Sequence, residues 1–143
     1  MSRDKEENYR LSKSERIKSR KSVNRLFSHG RSFLVHPFKV VWYAEEFDTG
    51  PRARVAVSVS KRYSKRAVHR NRIRRKIKEA YRLHKNQLYH QLSETNVRLI
   101  FMYIYVGREE YEWEKIEHKI IVSLKRLFEE YAKGDECDFN RVG

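Results

Sequence analysis

A chain of 143 residues, 39% hydrophobic and 13% aromatic, carries enough apolar material for one domain, which at this size buries roughly two thirds of its unfolded surface. Its single cysteine, Cys137, excludes an internal disulfide or a thiolate metal cage, its six histidines fall into no metal-ligand spacing, and its longest apolar run, residues 99–106, is far short of the ~20 residues that span a bilayer. A formal net charge of +14 repels itself unless a polyanion neutralises it, so the partner expected is a nucleic acid, with no membrane.

Residues 1–12 are polar and mixed in charge and are expected to form a flexible tail; Arg3, Asp4, Lys5, Glu6 and Glu7 stand where a signal peptide would need an apolar core, so a cytoplasmic protein is expected. Residues 13–133 read as one domain and 134–143 as a C-terminal tail. Ser12 and Glu15 have the spacing of a capping box. The first helix is expected over 19–28, with Val23, Leu26 and Phe27 on one face and Gly30 as a left-handed stop.

Beyond Gly30 the texture becomes that of strands. Residues 31–36 form a short one ending at Pro37, and 38–45 a longer one whose Phe38, Val40 and Trp42 face the core while Lys39, Val41 and Tyr43 face the other way. Asp48, Thr49, Gly50 and Pro51 make a turn, after which 54–60 returns as a strand with Val55, Val57 and Val59 inward. Residues 65–87 have helical periodicity, with Ile73, Ile77, Ala80, Tyr81, His84 and Leu88 in one arc. Residues 96–106 form an apolar strand, either covered on both faces or with an aromatic exposed face, and 110–133 a last helix buried through Trp113, Ile116, Ile120, Leu124, Leu127 and Tyr131. The expected class is α+β: a single domain with about four strands and helices packed on one side of the sheet.

The charge is concentrated in residues 61–78, ten of which are Lys or Arg, and no acid occurs between Asp48 and Glu79. A helix face that is merely solvated mixes signs through pairs four residues apart, and this one does not. The candidate nucleic-acid contacts are Lys61, Arg62, Lys65, Arg66, Arg70, Asn71, Arg72, Arg74, Arg75 and Lys78. On the helical wheel Asn71, Arg74 and Lys78 lie along one border of the buried stripe, with Arg72, Arg75 and Lys76 farther round. A helix-turn-helix DNA reader would be mostly helical, so RNA is the better partner and DNA is not expected; a sheet face beside a basic helix suits single strands, whose bases stack for ~1–3 kcal/mol each. No phosphate loop, nucleophile elbow or zinc-protease motif is present, so no catalytic side chain and no protein-bound metal are assigned.

The run Val57-Ser58-Val59-Ser60-Lys61-Arg62, followed by Ala67-Val68 and Arg70-Asn71-Arg72-Ile73-Arg74-Arg75, closely resembles the bacterial ribonuclease P protein family and its RNR motif. Arg10-Leu11 and Leu26-Phe27-Ser28-His29-Gly30 are similar to family segments around the first helix, whereas residues 15–21 look like an insertion relative to shorter relatives. The resemblance implies a fold like that of a ribosomal protein and an elongation factor G domain, with a left-handed βαβ crossover. It implies a protein that partners a catalytic RNA and precursor tRNA within a holoenzyme that removes the 5′ leader, Mg²⁺ entering through the RNA and bond cleavage being the RNA's work. It places Val23, Phe27, Lys39, Val41 and Tyr43 at a leader cleft between the first helix and the sheet; Val41 stands where the family often has Tyr. A structural RNA-binding or RNA-chaperone protein of the ribosome shares the basic-helix logic and is the alternative.

Overall fold

In the computed structural model, which describes residues 11–142 apart from Lys18 and Ser64, with side chains as far as Lys133, four strands form one mixed sheet in the order β1-β2-β4-β3. The expected tail at 1–12 lies outside the described residues up to residue 10, as does Arg10 of the family-like pair. β1 (Arg31–Val35) and β2 (Phe38–Glu46) make a hairpin around His36-Pro37, whose peptide bond is cis. β3 (Ala53–Val59) pairs in parallel with β4 (Val97–Tyr105), which is antiparallel to β2 at the centre of the sheet. A parallel pair needs a long crossover. Helix α2 (Ala67–Leu92) supplies it, between α1 (Arg20–His29) and α3 (Trp113–Val142).

Strand alternation divides the sheet into two faces. On one, Phe33, Phe38, Val40, Trp42, Val55, Phe101 and Tyr103 meet Ile73, Ile77 and Tyr81 of α2 and Ile116, Ile120 and Leu124 of α3 in the main core. The expected placement of helices on one side holds for α2 and α3. It does not hold for α1, which crosses the opposite face and inserts Leu26 among Val41, Tyr43, Ile100 and Met102. The reason is in β2 and β4, both apolar on alternate residues in either register, so each face needs a cover. Burying Leu26 stabilises that docking by about 1.5–3 kcal/mol.

Ser19 caps α1 by accepting the Ser22 N–H. The expected left-handed stop at Gly30 is not found, since its φ is −76°. Glycine is needed there for closeness instead: a Cβ would come within 2.3 Å of the Leu26 carbonyl oxygen and 3.1 Å of the Val41 side chain. The backbone of α3 continues past Lys133, where the periodicity places its end, because one glycine inside a helix costs only about 1 kcal/mol relative to alanine.

Ahead of α1 the chain makes a 3-10 turn (Lys13–Glu15) and then runs along the outer edge of β3, where Arg16 pairs with Val55 and the Ile17 N–H donates to the Val55 carbonyl at 3.0 Å. The capping-box spacing is realised here: Glu15 Oε1 accepts from the Ser12 N–H at 2.8 Å. Its other oxygen turns inward to Lys85 of α2 at 2.6 Å and accepts from the Tyr89 hydroxyl.

Candidate RNA interface

Helix α2 buries Ile73, Ile77, Ala80, Tyr81, Leu88 and Leu92 along one stripe, and this orients everything else on it. His84, expected in the stripe, sits at its border and meets Glu117 of α3 at 2.8 Å. Lys61 and Arg62 are exposed in the turn after β3, and Lys65 and Arg66 are exposed just ahead of the helix. Asn71, Arg72 and Arg75 are exposed, and Arg70, Arg74 and Lys78 are half-buried.

The two borders of the stripe have different electrostatics. On one, Arg72 and Lys76 converge on Glu110 in the β4–α3 loop, with Arg72 Nε 2.8 Å and Lys76 Nζ 2.9 Å from the same carboxylate oxygen, and Lys76 Nζ also donates to the Tyr111 carbonyl at 3.1 Å. The bonds from Arg72 and then Lys76 hold the Glu110 carboxyl below its ordinary pKa, and the same contact raises Arg72. On the other border, Arg74 donates to Asn71 Oδ1 at 2.6 Å and Lys78 faces the segment ahead of α1. Arg75, grouped by the helical wheel with Arg72 and Lys76, lines the same groove as Lys78. The two sides have different neighbours: Glu110 of the β4–α3 loop meets Arg72 and Lys76, while Leu11 and Arg16, ahead of α1, line the groove on the Arg75 side.

The expected leader-cleft residues separate into two sets. Val41 and Tyr43 are buried under α1, at 5% and 8% exposure, and Arg25 covers the Tyr43 ring with its guanidinium carbon 4.9 Å from the centroid. Val23 packs beside them, half-buried. Phe27 and Lys39 are exposed, Phe27 at 62%. Beside the α1 contact, this face carries a row across all four strands at one register, in which Leu34 and Lys39 are exposed and Ile104 and Ser58 are half-buried. The row ends at a hollow walled by Arg62, Tyr63 and Arg108 at the ends of β3 and β4. Leu34, Ile104 and Arg108 were not singled out by sequence. Register was the missing information, since only pairing brings residues 34, 39, 104 and 58 into line.

Arg16 and Glu110 were likewise missed. Glu110 belongs to an acidic run that fits a helix N-terminus, and Arg16 lies in the apparent insertion; the one available signal was the Ser12–Glu15 spacing. Among the described residues no group of three or more His, Cys, Asp and Glu is placed to hold a metal ion, and no helix is long and apolar enough to cross a membrane.

Fold and surface together define a class: a small α+β protein that displays a basic crossover helix along one edge of a mixed sheet. A ribonuclease P family model matches residues 11–130, and the ribonuclease P protein component of Porphyromonas gingivalis is 35% identical over 117 residues, covering 82% of this chain and 85% of that protein. The protein component of Syntrophus aciditrophicus is 41% identical over 78 residues, 54% of this chain and 61% of that one. This chain belongs to the ribonuclease P protein family. In fold it is similar to the ribonuclease P proteins of Staphylococcus aureus (TM-score 0.59, 24% identity, 80% of this chain and 96% of that one) and Thermotoga maritima (0.60, 20%, 78% and 96%).

Proposed function

We propose that this protein binds the catalytic RNA of ribonuclease P through α2 and the turn before it, and the 5′ leader of precursor tRNA along the row of the sheet that begins at Leu34. It thereby supports magnesium-dependent endonucleolytic removal of the leader in the cytoplasm. The observation that carries this reading is the display of Arg70, Asn71, Arg72, Arg74, Arg75 and Lys78 on the solvent side of a helix whose opposite stripe is locked in the core. These residues supply charge and hydrogen-bond donors to phosphates, so binding weakens steeply with salt. They supply no general base or nucleophile. Bond cleavage falls to the RNA, which also holds the Mg²⁺.

The leader reading rests on the row Leu34, Lys39, Ile104 and Ser58, which offers apolar surface for bases and one ammonium for a phosphate, with Arg62 and Arg108 at its end. Val41 and Tyr43 support the floor from beneath α1, and Phe27 stands exposed on α1. Reconstitution tests the whole. Adding the protein to ribonuclease P RNA at low magnesium is expected to restore 5′ cleavage of precursor tRNA. An RNA-chaperone protein would leave that cleavage unchanged, and such a result would remove this reading.

A further inference from the structure

Residues 15–21, expected to be an insertion, lie within the stretch 11–130 that the family model matches, and the first two of them are held by a buried ion pair and by the edge of β3. Glu15, the last residue of the 3-10 turn, points inward to its buried partner Lys85, whereas Arg16, the extended residue that follows it, is exposed. Its backbone is paired with Val55, so the position of its side chain is set by the sheet. That side chain lines a groove with Leu11, Arg75, Lys78, Glu79 and Arg82. The one acid of the groove is engaged: Glu79 Oε2 lies 2.6 Å from Arg82 Nη2. Arg75 and Lys78 have no carboxylate partner among the described residues, and Arg16 Nη2 donates to the Leu11 carbonyl at 3.3 Å. Burial, followed by the positive charges of Arg16 and Arg74, lowers the pKa of Lys78.

Bringing a further cation against a strip that is already positive costs the free protein energy, and a buried ion pair holds it there. A polyanion seated in the groove turns that repulsion into attraction. We propose that Arg16, Arg75 and Lys78 form a binding site for the phosphodiester backbone of the catalytic RNA, with Glu15 as the residue that positions Arg16. This rests on the RNA-binding reading above and adds to it a contact from outside the RNR helix. The catalytic RNA is the occupant because the groove opens on the α2 side of the edge of β3, whereas the row assigned to the leader lies on the opposite face of the sheet.

The test uses the full chain, with ribonuclease P RNA alone and precursor tRNA alone as separate ligands, titrated over a range of KCl. Arg16→Ala is expected to weaken binding of the catalytic RNA about three- to tenfold and to lower the slope of log affinity against log salt by about 0.7–0.9, one phosphate contact. Arg16→Lys keeps the slope. Lys78→Ala in the Arg16→Ala background loses less than in the wild type, because the two share a phosphate. Precursor tRNA binding is unchanged by Arg16→Ala. Unaltered affinity and slope for the catalytic RNA would overturn the site, and so would a loss confined to precursor tRNA. If the wild-type chain fails to bind the catalytic RNA at all, the broader reading falls as well, so the two failures are distinguishable. Urea unfolding of Arg16→Ala, an exposed position, is expected to match the wild type and serves as the control for folding.

Discussion

Lys85 Nζ lies 2.6 Å from Glu15 Oε2, with side-chain exposures of 1% and 6%, and joins two residues 70 positions apart. One partner belongs to the segment ahead of α1 and the other to the crossover helix, so the pair closes the chain around β3. The carboxylate is fully engaged, since it also receives the Tyr89 hydroxyl and the Ser12 N–H.

Breaking a buried pair by removing one member strands the other without water, which costs about 3–5 kcal/mol. Lys85→Met alone is therefore expected to lower the free energy of unfolding by about that amount in urea titrations. Replacing both, as Glu15→Leu with Lys85→Met, is expected to restore most of the loss. A Lys85→Met protein as stable as the wild type would mean that water reaches the pair.

The same carboxylate sets an acid limit. Burial raises the Glu15 pKa, but the bonds from Lys85, Tyr89 and the Ser12 N–H, with the Lys85 charge, outweigh it and leave the group below its ordinary 4.5. A carboxyl depressed in the folded state contributes stability that is fully present above its unfolded value and is lost as pH falls through the folded one. The midpoint of thermal unfolding is thus expected to drop as the solution is acidified below about pH 4.5, and Glu15→Gln is expected to flatten that part of the curve. Parallel curves for the two proteins would assign the acid sensitivity elsewhere.

Glu110 engages Arg72 and Lys76, two cations on the helix proposed to bind RNA. Exposed pairs of this kind contribute only about 0–1 kcal/mol to folding. Glu110→Gln is expected to leave the unfolding midpoint nearly unchanged, to tighten RNA binding at low salt and to steepen its salt dependence by about one unit, as freed cations meet phosphates. Weaker binding at an unchanged slope would show that the carboxylate positions Arg72 rather than competing for it.

Phe27 on α1 and Val41 on β2, both expected at the leader cleft, are expected to respond differently. Val41 is buried, and Val41→Ala is expected to cost about 1–3 kcal/mol of stability through the cavity it leaves. Phe27 is exposed, so Phe27→Ala is expected to spare stability and weaken precursor tRNA relative to mature tRNA in the holoenzyme, by up to the ~1–3 kcal/mol of a stacked base. Equal losses for the two tRNAs would remove Phe27 from the leader path.

Local pattern was sufficient for the four strands, the inward face of Phe38, Val40 and Trp42, and the buried stripe Ile73, Ile77 and Tyr81, because periods of two and 3.6 are carried by neighbouring residues. It was insufficient wherever the outcome depended on distant partners. Lys85 stands among helix residues as one more cation, and only Glu15, brought by the edge of β3, explains its burial. Gly30 looked like a stop and proved to be a point of close approach, to the Leu26 carbonyl of its own helix and to Val41 and Trp42 of the hairpin that follows. Arg72 and Arg75 looked alike on a wheel and differ because one faces Glu110 and the other a groove.

The segment that carries Arg16 does one more thing. β3 ends the sheet, and an end strand with bare amide and carbonyl groups is a template for another chain. By donating the Ile17 N–H to the Val55 carbonyl, this segment occupies part of that template with the protein's own backbone. A variant unable to hold Glu15 inside would therefore uncover a strand edge as well as lose stability, and its hazard at high concentration is self-association through β3, in a molecule whose charge otherwise keeps its copies apart.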